Sequence, residues 1–402
     1  MRPILYAATD AGPEHHHSDA GRGRKTRPNT APRARHAPGT NAPGSVGLCL
    51  GQRGRRSPFR FRYPPPNFYL VRSPVAANLA NLPPGVTATP ESFFAEPPSH
   101  LPIEQAALRS VAYADVFDYP LLAAEVHRYL HGLSATPEVT AEALARCSAP
   151  GGTLACREGY YTLPGREGLV EVRRRRAALA RNLWPTALKY GRLIAALPFV
   201  RMVAVTGSLA WDNIDGKADI DYLIVTEPDR LWVCRWLVRA VGRVARRDGV
   251  TLCPNYVVSK RALVLSERNL YAAYELARMT PIAGLGMHRR LRRANPWALA
   301  YLPNAVEVPR PPVSDTPHTQ PWPGRALVGL ARLGERTLRS PLGTMLERCE
   351  MRYRIRQLAK IEDAQRESSY GVDWYKAHTT GNRHHALAAF GERLRVLRAS
   401  AP

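Results

Sequence analysis

Two acidic residues stand one residue apart at the start of an apolar run. Asp219 and Asp221 flank Ile220 and lead into Tyr-Leu-Ile-Val, a pattern that predicts a β-strand. Because side chains alternate along a strand, the two carboxylates share one face and repel each other unless a cation lies between them. Mg²⁺ prefers oxygen ligands and binds through one or two carboxylates together with substrate phosphates. The pair is therefore a candidate metal site.

A glycine and a serine end the preceding apolar run. Gly207 allows the backbone to approach an anion closely, and Ser208 offers a hydroxyl and an amide N–H. Both stand where the predicted strand turns into a short helix, which is a common place for phosphate binding. The two segments together predict a site in which Gly207-Ser208 contacts phosphates and the acidic pair holds the metal that bridges them.

This arrangement resembles the signature of the nucleotidyltransferase superfamily with the DNA polymerase β-like palm. Gly207-Ser208, ten further residues and then Asp219-Ile220-Asp221 match its order and spacing. The likeness is close over residues 195–305 and looser over 101–400. It implies transfer of a nucleoside monophosphate from an NTP, such as ATP, to a hydroxyl acceptor with release of pyrophosphate.

The resemblance also implies residue roles. Gly207 and Ser208 would contact the β and γ phosphates, and Asp219 and Asp221 would bind two Mg²⁺ ions that hold the triphosphate. The acceptor stays open between a small hydroxyl compound, a protein side chain and an RNA end, and the base of the NTP is not determined.

A third carboxylate is expected on a later strand of this superfamily, and here the match weakens. The corresponding segment, Thr-Leu-Cys-Pro-Asn-Tyr-Val-Val-Ser, carries Asn255, an amide that cannot act as a base. Glu275, in a predicted helix, is the nearest candidate to replace the acid catalytically; a solvated or salt-bridged helix residue is the alternative. Asp212 and Asp215 either assist from the connecting loop or are turn residues.

A second hypothesis comes from a different functional class. With Asn255 in place of an acid, the chain could be a catalytically inactive nucleotide-binding or regulatory module that acts through its front segment. A DNA-binding regulator is a weaker third reading, because the third predicted helix of that segment carries Glu138 and Glu142 and only one base, Arg146.

The surrounding pattern predicts an α+β fold. Residues 1–100 are rich in Arg, Pro, Gly and Ala and are predicted to be a disordered tail. Residues 101–165 read as three helices and a hairpin, the order of a winged helix, with the second helix running from Pro120 to Gly132. Residues 166–305 form the predicted palm, a mixed sheet with helices, behind a long helix that we expect to bend or break before Pro185. Residues 306–402 are a linker and a helical C-terminal region.

Composition bears on the partners and the cellular location of the protein. The formal net charge is +24, which is compatible with a polyanionic partner, although an Arg-rich GC-biased coding sequence gives the same balance. The six cysteines show no CxxC pair, which favours reduced thiols and a cytoplasmic location. No run is long enough to span a membrane and no secretory leader is expected. Nucleic acid and protein both stay open as partners.

Two basic segments have alternative interpretations. The run Arg173–Arg176 is predicted to be a solvated helix face or a phosphate-contacting one. The helix after the acidic strand carries arginines along one side, read as a solvated face or a surface for a polyanionic acceptor; they are Arg235, Arg239, Arg243, Arg246 and Arg247. Trp232 and Trp236, four residues apart, are interpreted as core or packing residues, with a base-stacking platform as the alternative.

Overall fold

The computed structural model describes residues 101–216, 219–309, 325–359, 369–376 and 382–399. The predicted tail at 1–100 lies outside these residues. Within them the chain is a mixed α+β structure, as the pattern predicted. No helix of the described part of the chain is long and apolar enough to cross a membrane.

The front segment contains three helices and a small sheet. Its elements are α1 (Ile103–Asp115), β1 (Leu121–Leu122), α2 (Ala123–Arg128), α3 (Pro137–Cys147), β2 (Ala155–Arg157) and β3 (Tyr160–Thr162). The strands are antiparallel in the order β1-β3-β2. Thr136 caps α3, its hydroxyl accepting from the Val139 N–H at 3.4 Å, and Pro137 occupies the first turn.

The second helix of the front segment is shorter than predicted. Leu121 and Leu122 pair with Tyr161 and Tyr160 as a strand, and α2 begins only at Ala123. The Glu125 carboxylate accepts the Leu122 N–H at 2.9 Å, which fixes the helix start there. The sequence periodicity could not show this pairing, because its partner strand lies about 40 residues downstream.

A long helix, α4 (Leu169–Ala195), connects the front segment to the main sheet. The helix is continuous through Pro185, so the predicted break does not occur, and a bend at this position stays a prediction. Trp184 on one side of the proline and Ala187 on the other are both buried in the same apolar cluster. This packing offsets the hydrogen bond that proline cannot donate.

The main sheet has six strands in the order β7-β4-β5-β6-β9-β8. They are β4 (Val200–Thr206), β5 (Ile220–Thr226), β6 (Leu252–Ser259), β7 (Thr280–Ala283), β8 (Ser369–Tyr370) and β9 (Trp374–Lys376). Only β5 and β6 are parallel, and α6 (Leu231–Arg247) forms their crossover. The predicted mixed sheet is confirmed, with two unpredicted strands added from the C-terminal region that was expected to be only helical.

The remaining helices cover the sheet and its edges. They are α5 (Gly207–Ala210), α7 (Leu270–Arg278), α8 (Leu285–Arg293), α9 (Trp297–Tyr301), α10 (Arg325–Leu338), α11 (Pro341–Ala359) and α12 (Asn382–Ala399). Helix α11 also supplies the N-terminal cap of α6. The carboxylate of Glu347 accepts the N–H groups of Trp232 and Val233, both at 2.8 Å.

The two sheet faces have separate cores. Ile220, Tyr222 and Ile224 face the cluster that contains Trp184 and Trp232. Leu223 and Val225 face the opposite cluster, where α7 and α8 pack. Since alternate residues share a face, the side chain of Asp221 lies on the α7 side of the sheet.

Candidate functional site

The antiparallel pairing of β4 and β5 brings the two segments of the motif together. Thr206, the last residue of β4, lies opposite Asp221 in the strand register. Gly207 and Ser208 follow immediately and begin α5. The two segments are ten residues apart in sequence, yet Gly207 and Asp221 are in direct contact in space.

Gly207 is the point of closest contact. Its φ of +65° lies in the left-handed region, and a Cβ built there would be 2.2 Å from Oδ2 of Asp221. Any other residue would combine backbone strain with a clash against the carboxylate. The close approach of the Asp221 side chain therefore favours glycine at this position. This reason is separate from the approach of a bound anion, which the sequence suggested.

Asn255 on β6 binds Asp221. Its Nδ2 donates to Oδ1 of Asp221 at 2.6 Å, and the Cys253 thiol donates to the Asn255 carbonyl oxygen at 2.7 Å. Burial, with the nearby charges of Glu275 and Asp219, raises the pKa of Asp221 to about 8, although the Asn255 hydrogen bond lowers it. The amide therefore lies where a third acid was expected, and it orients the carboxylate.

Glu275 and Asn255 line one pocket, which adjoins Asp221 through the Asn255 hydrogen bond. Burial raises the pKa of Glu275 to about 7, while a hydrogen bond from the Gly207 backbone and the charges of Arg278 and Lys376 lower it. Its contact with Gly207 and its charge interaction with Asp221 place it beside the motif, which contradicts the solvated alternative. Within the described residues no ion pair involves Asp219, Asp221 or Glu275.

The pocket beside Asp221 has a wall that the sequence did not predict. It is lined by Thr206, Asn255, Glu275 and, from the C-terminal strand β9, Lys376. Lys376 is ion-paired with Glu267, another lining residue. Two short strands at 369–376 carry too weak a pattern for sequence analysis to assign them to the sheet.

Asp219 and Asp221 are oxygen donors of the kind that a divalent cation prefers. Burial also raises the pKa of Asp219, so two neighbouring carboxyl groups are destabilised in their charged form without an internal cation to compensate them. The described residues contain no group of three or more His, Cys, Asp and Glu side chains arranged around one metal position. Asp219 and Asp221 could thus hold an ion only together with ligands from a substrate or water.

The loop carboxylates have other roles. Asp212 has a φ of +50°, typical of a turn, and its Oδ1 accepts the Trp184 indole N–H at 2.7 Å. Asp215 is exposed. The structure places neither of them with Asp221 and Glu275, which favours the interpretation as turn residues.

Each of the two arginine-rich helix segments contains a buried arginine, so neither is only a solvated face. Arg173 is buried and binds the Glu125 carboxylate through both terminal nitrogens, at 2.6 and 3.0 Å. Arg235 is also buried, with its guanidinium 3.8 Å from the centre of the Tyr375 ring. Trp232 packs in the core as predicted, whereas Trp236 is 50% exposed and is not a core residue.

Comparison of the chain with family models, with curated proteins and with solved structures returns no match.

The raised pKa of Asp221 predicts that the difference in stability between the wild type and Asp221→Asn depends on pH. Asp221 keeps its proton in the folded state up to about pH 8 but loses it near 4 when unfolded, so the folded protein loses stability as pH rises between these values. In EDTA, Asp221→Asn should match the wild type near pH 4.5. At pH 8.5 it should be more stable by on the order of 2 kcal/mol, a figure reduced for partial solvent access. Urea unfolding at both pH values measures this, and a pH-independent difference would contradict the buried-carboxyl interpretation.

Proposed function

We propose that the protein is a metal-dependent nucleotidyltransferase that moves a nucleoside monophosphate from an NTP to a hydroxyl acceptor and releases pyrophosphate. The observation that carries this proposal is the contact of Gly207 with Asp221, which leaves no room for a Cβ. It joins the two segments of the motif that resembles the superfamily. The order β4, α5 and β5 supports a palm of the polymerase β type, and the element order of residues 103–162 supports a winged helix.

Asp219 and Asp221 would hold Mg²⁺ in this proposal. Bound Mg²⁺ would neutralise the triphosphate and lower the pKa of the acceptor hydroxyl. Ser208 would bind a phosphate oxygen through its hydroxyl. Asn255 would keep the Asp221 carboxylate in one orientation through the 2.6 Å hydrogen bond.

Glu275 is our candidate for the general base. A pKa of about 7 allows it to accept a proton near neutral pH, and it lies in the pocket that adjoins Asp221. The acceptor oxygen forms a bond to the α-phosphorus while the bond from this phosphorus to the bridging oxygen breaks. Pyrophosphate leaves with the electron pair, and the hydroxyl proton passes to Glu275.

The second candidate function is an inactive nucleotide-binding module. Asn255 favours it, because this amide takes the place of the superfamily's usual third acid and is committed to Asp221 and Cys253. In that case the protein would bind an NTP with Mg²⁺ and act through its front segment, with a protein or nucleic acid as partner.

Substitution of Glu275 by Gln distinguishes the two candidates. The full chain is incubated with Mg²⁺ and each of the four α-labelled NTPs, with pools of hydroxyl compounds, RNA or no acceptor. Label transfer with equimolar pyrophosphate is expected, and Glu275→Gln should reduce its rate by about 100-fold or more, the usual contribution of a general base, without weakening NTP binding.

Glu142→Gln, a change of the same type on an exposed helix, is the control and should have no effect. Binding without any label transfer would favour the inactive module. Transfer that is unaffected by Glu275→Gln would remove Glu275 from the mechanism but keep the enzyme.

A further inference from the structure

A second cavity, of about 250 Å³, lies between the front segment, α4 and α7. Its charged lining consists of Glu125, Arg173, Arg174, Arg181, Asp212 and Arg278. It shares no lining residue with the pocket beside Asp221. Helix α7 contributes to both, with Glu275 lining the first and Arg278 lining the second.

Arg278 is the unusual member of this lining. The residue is 7% exposed, yet its Nε and Nη1 atoms have no hydrogen-bond partner among the residues that the structure describes. Its Nη2 donates to the Tyr119 hydroxyl at 3.2 Å, and its guanidinium lies 3.7 Å from the centre of the Trp211 ring. The aromatic contacts stabilise the charge, but two buried charged donors remain unsatisfied, which is costly in a protein interior.

The acidic residues of the cavity do not satisfy these donors. Glu125 is bound by Arg173, and Asp212 accepts the Trp184 indole N–H. Arg174 is paired outside the cavity with Glu158 and Glu171.

Arg181 is exposed, so it lies at the opening of the cavity, and no ion pair involves it in the described part of the chain. Since Arg173 is paired with Glu125 and Arg174 with acids outside the cavity, Arg181 and Arg278 are the two lining arginines without an ion pair in the described residues.

We propose that this cavity binds a phosphate group, either free phosphate or a small phosphomonoester. Nε and Nη1 of Arg278 are shielded from solvent in this structure, so a shift of the guanidinium toward the cavity would let them donate to two of the phosphate oxygens, a geometry to which this group is suited. Arg181 would add a charge contact from the opening. The site is separate from the proposed metal site and does not depend on the proposed transferase activity.

Titration of the full chain with inorganic phosphate tests this. Calorimetry is performed in EDTA, so that no metal at Asp219 and Asp221 can bring phosphate to that site, and at constant ionic strength balanced with chloride. Saturable one-site binding is expected. Arg181→Ala should weaken it about 5-fold and Arg278→Lys, which keeps the charge but loses the planar donor pair, about 10-fold or more.

Two controls locate the effect. Arg175→Ala removes an exposed arginine of the same helix that does not line the cavity, and it should leave the phosphate affinity within about 2-fold. Asp221→Asn should also leave it unchanged, so failure of the proposed transferase does not affect this result.

Other outcomes would overturn the proposal. If phosphate shows no saturable binding, or if Arg181→Ala and Arg175→Ala act alike, the aromatic rings alone accommodate Arg278 and the cavity holds only water. The Arg181 comparison remains decisive if Arg278→Lys does not fold. A competition arm with AMP separates the two ligand sources: displacement of phosphate by AMP indicates a phosphomonoester site, and absence of displacement indicates a site for free phosphate.

Discussion

The double substitution Asp219→Asn/Asp221→Asn is expected to abolish Mg²⁺-dependent NTP binding. Loss of both carboxylates removes the charged oxygen ligands, which should weaken binding about 100-fold or more, equivalent to several kcal/mol of metal-mediated charge stabilisation. Calorimetric titration of the full chain with ATP in Mg²⁺ and in EDTA measures the effect. The wild type should show metal-dependent binding, and the variant should show none above the EDTA level.

Loss of binding in this variant would not reflect unfolding. Asn has the shape of Asp, and removal of two carboxyl groups with raised pKa values should preserve or increase stability near pH 8. Asp215→Asn, an exposed change in the same loop, is the matched control and should bind as the wild type does. ATP binding that is indifferent to the double substitution would eliminate both the enzyme and the inactive nucleotide-binding module as we describe them, because both place the metal on these acids.

Substitution of Gly207 by Ala should have the largest structural effect at the site. The new methyl group would stand 2.2 Å from Oδ2 of Asp221, so the carboxylate must move away from its hydrogen bond with Asn255. The backbone also has a φ of +65°, which costs alanine about 1 kcal/mol by itself. We expect a loss of about 2 kcal/mol or more of stability together with loss of Mg²⁺-dependent ATP binding.

Gly151→Ala separates backbone strain from the clash. Gly151 has a φ of +77°, and a Cβ built there meets no atom within 4 Å. This variant should lose only about 1 kcal/mol, the strain contribution, and should bind ATP normally. If Gly207→Ala folds with the stability of Gly151→Ala and still binds, the tight contact with Asp221 is not required for the site.

The local pattern of the chain was sufficient to predict the chemistry-bearing strands. Alternation and apolar content predicted β4, β5 and β6, and the positions of Gly207, Asp219 and Asp221 at strand ends follow from sequence order alone. The α+β class follows in the same way. These features depend on interactions between residues that are close in sequence.

Contacts between distant segments could be decided only by the tertiary structure. Leu121 and Leu122 read as part of a helix, but the pairing with β3 makes them a strand. In the sequence, Asn255 stands where an acid was expected. In the structure, the pairing of β5 with β6 places its side chain where it donates a hydrogen bond to the Asp221 carboxylate. Packing of α7 against the sheet places Glu275 beside the motif and encloses Arg278 among aromatic rings from the front segment.

The physical reason is the difference between propensity and burial. Whether a residue forms helix or strand can be predicted from the residues next to it in sequence. Its solvation and its pKa depend on segments distant in sequence that exclude water from it. The sequence by itself determined the strands, the glycine and the acidic pair that define the candidate site. Only the tertiary structure decided that Glu275 joins them and that Arg278, which has two buried donors without a partner in the described residues, lines a separate cavity.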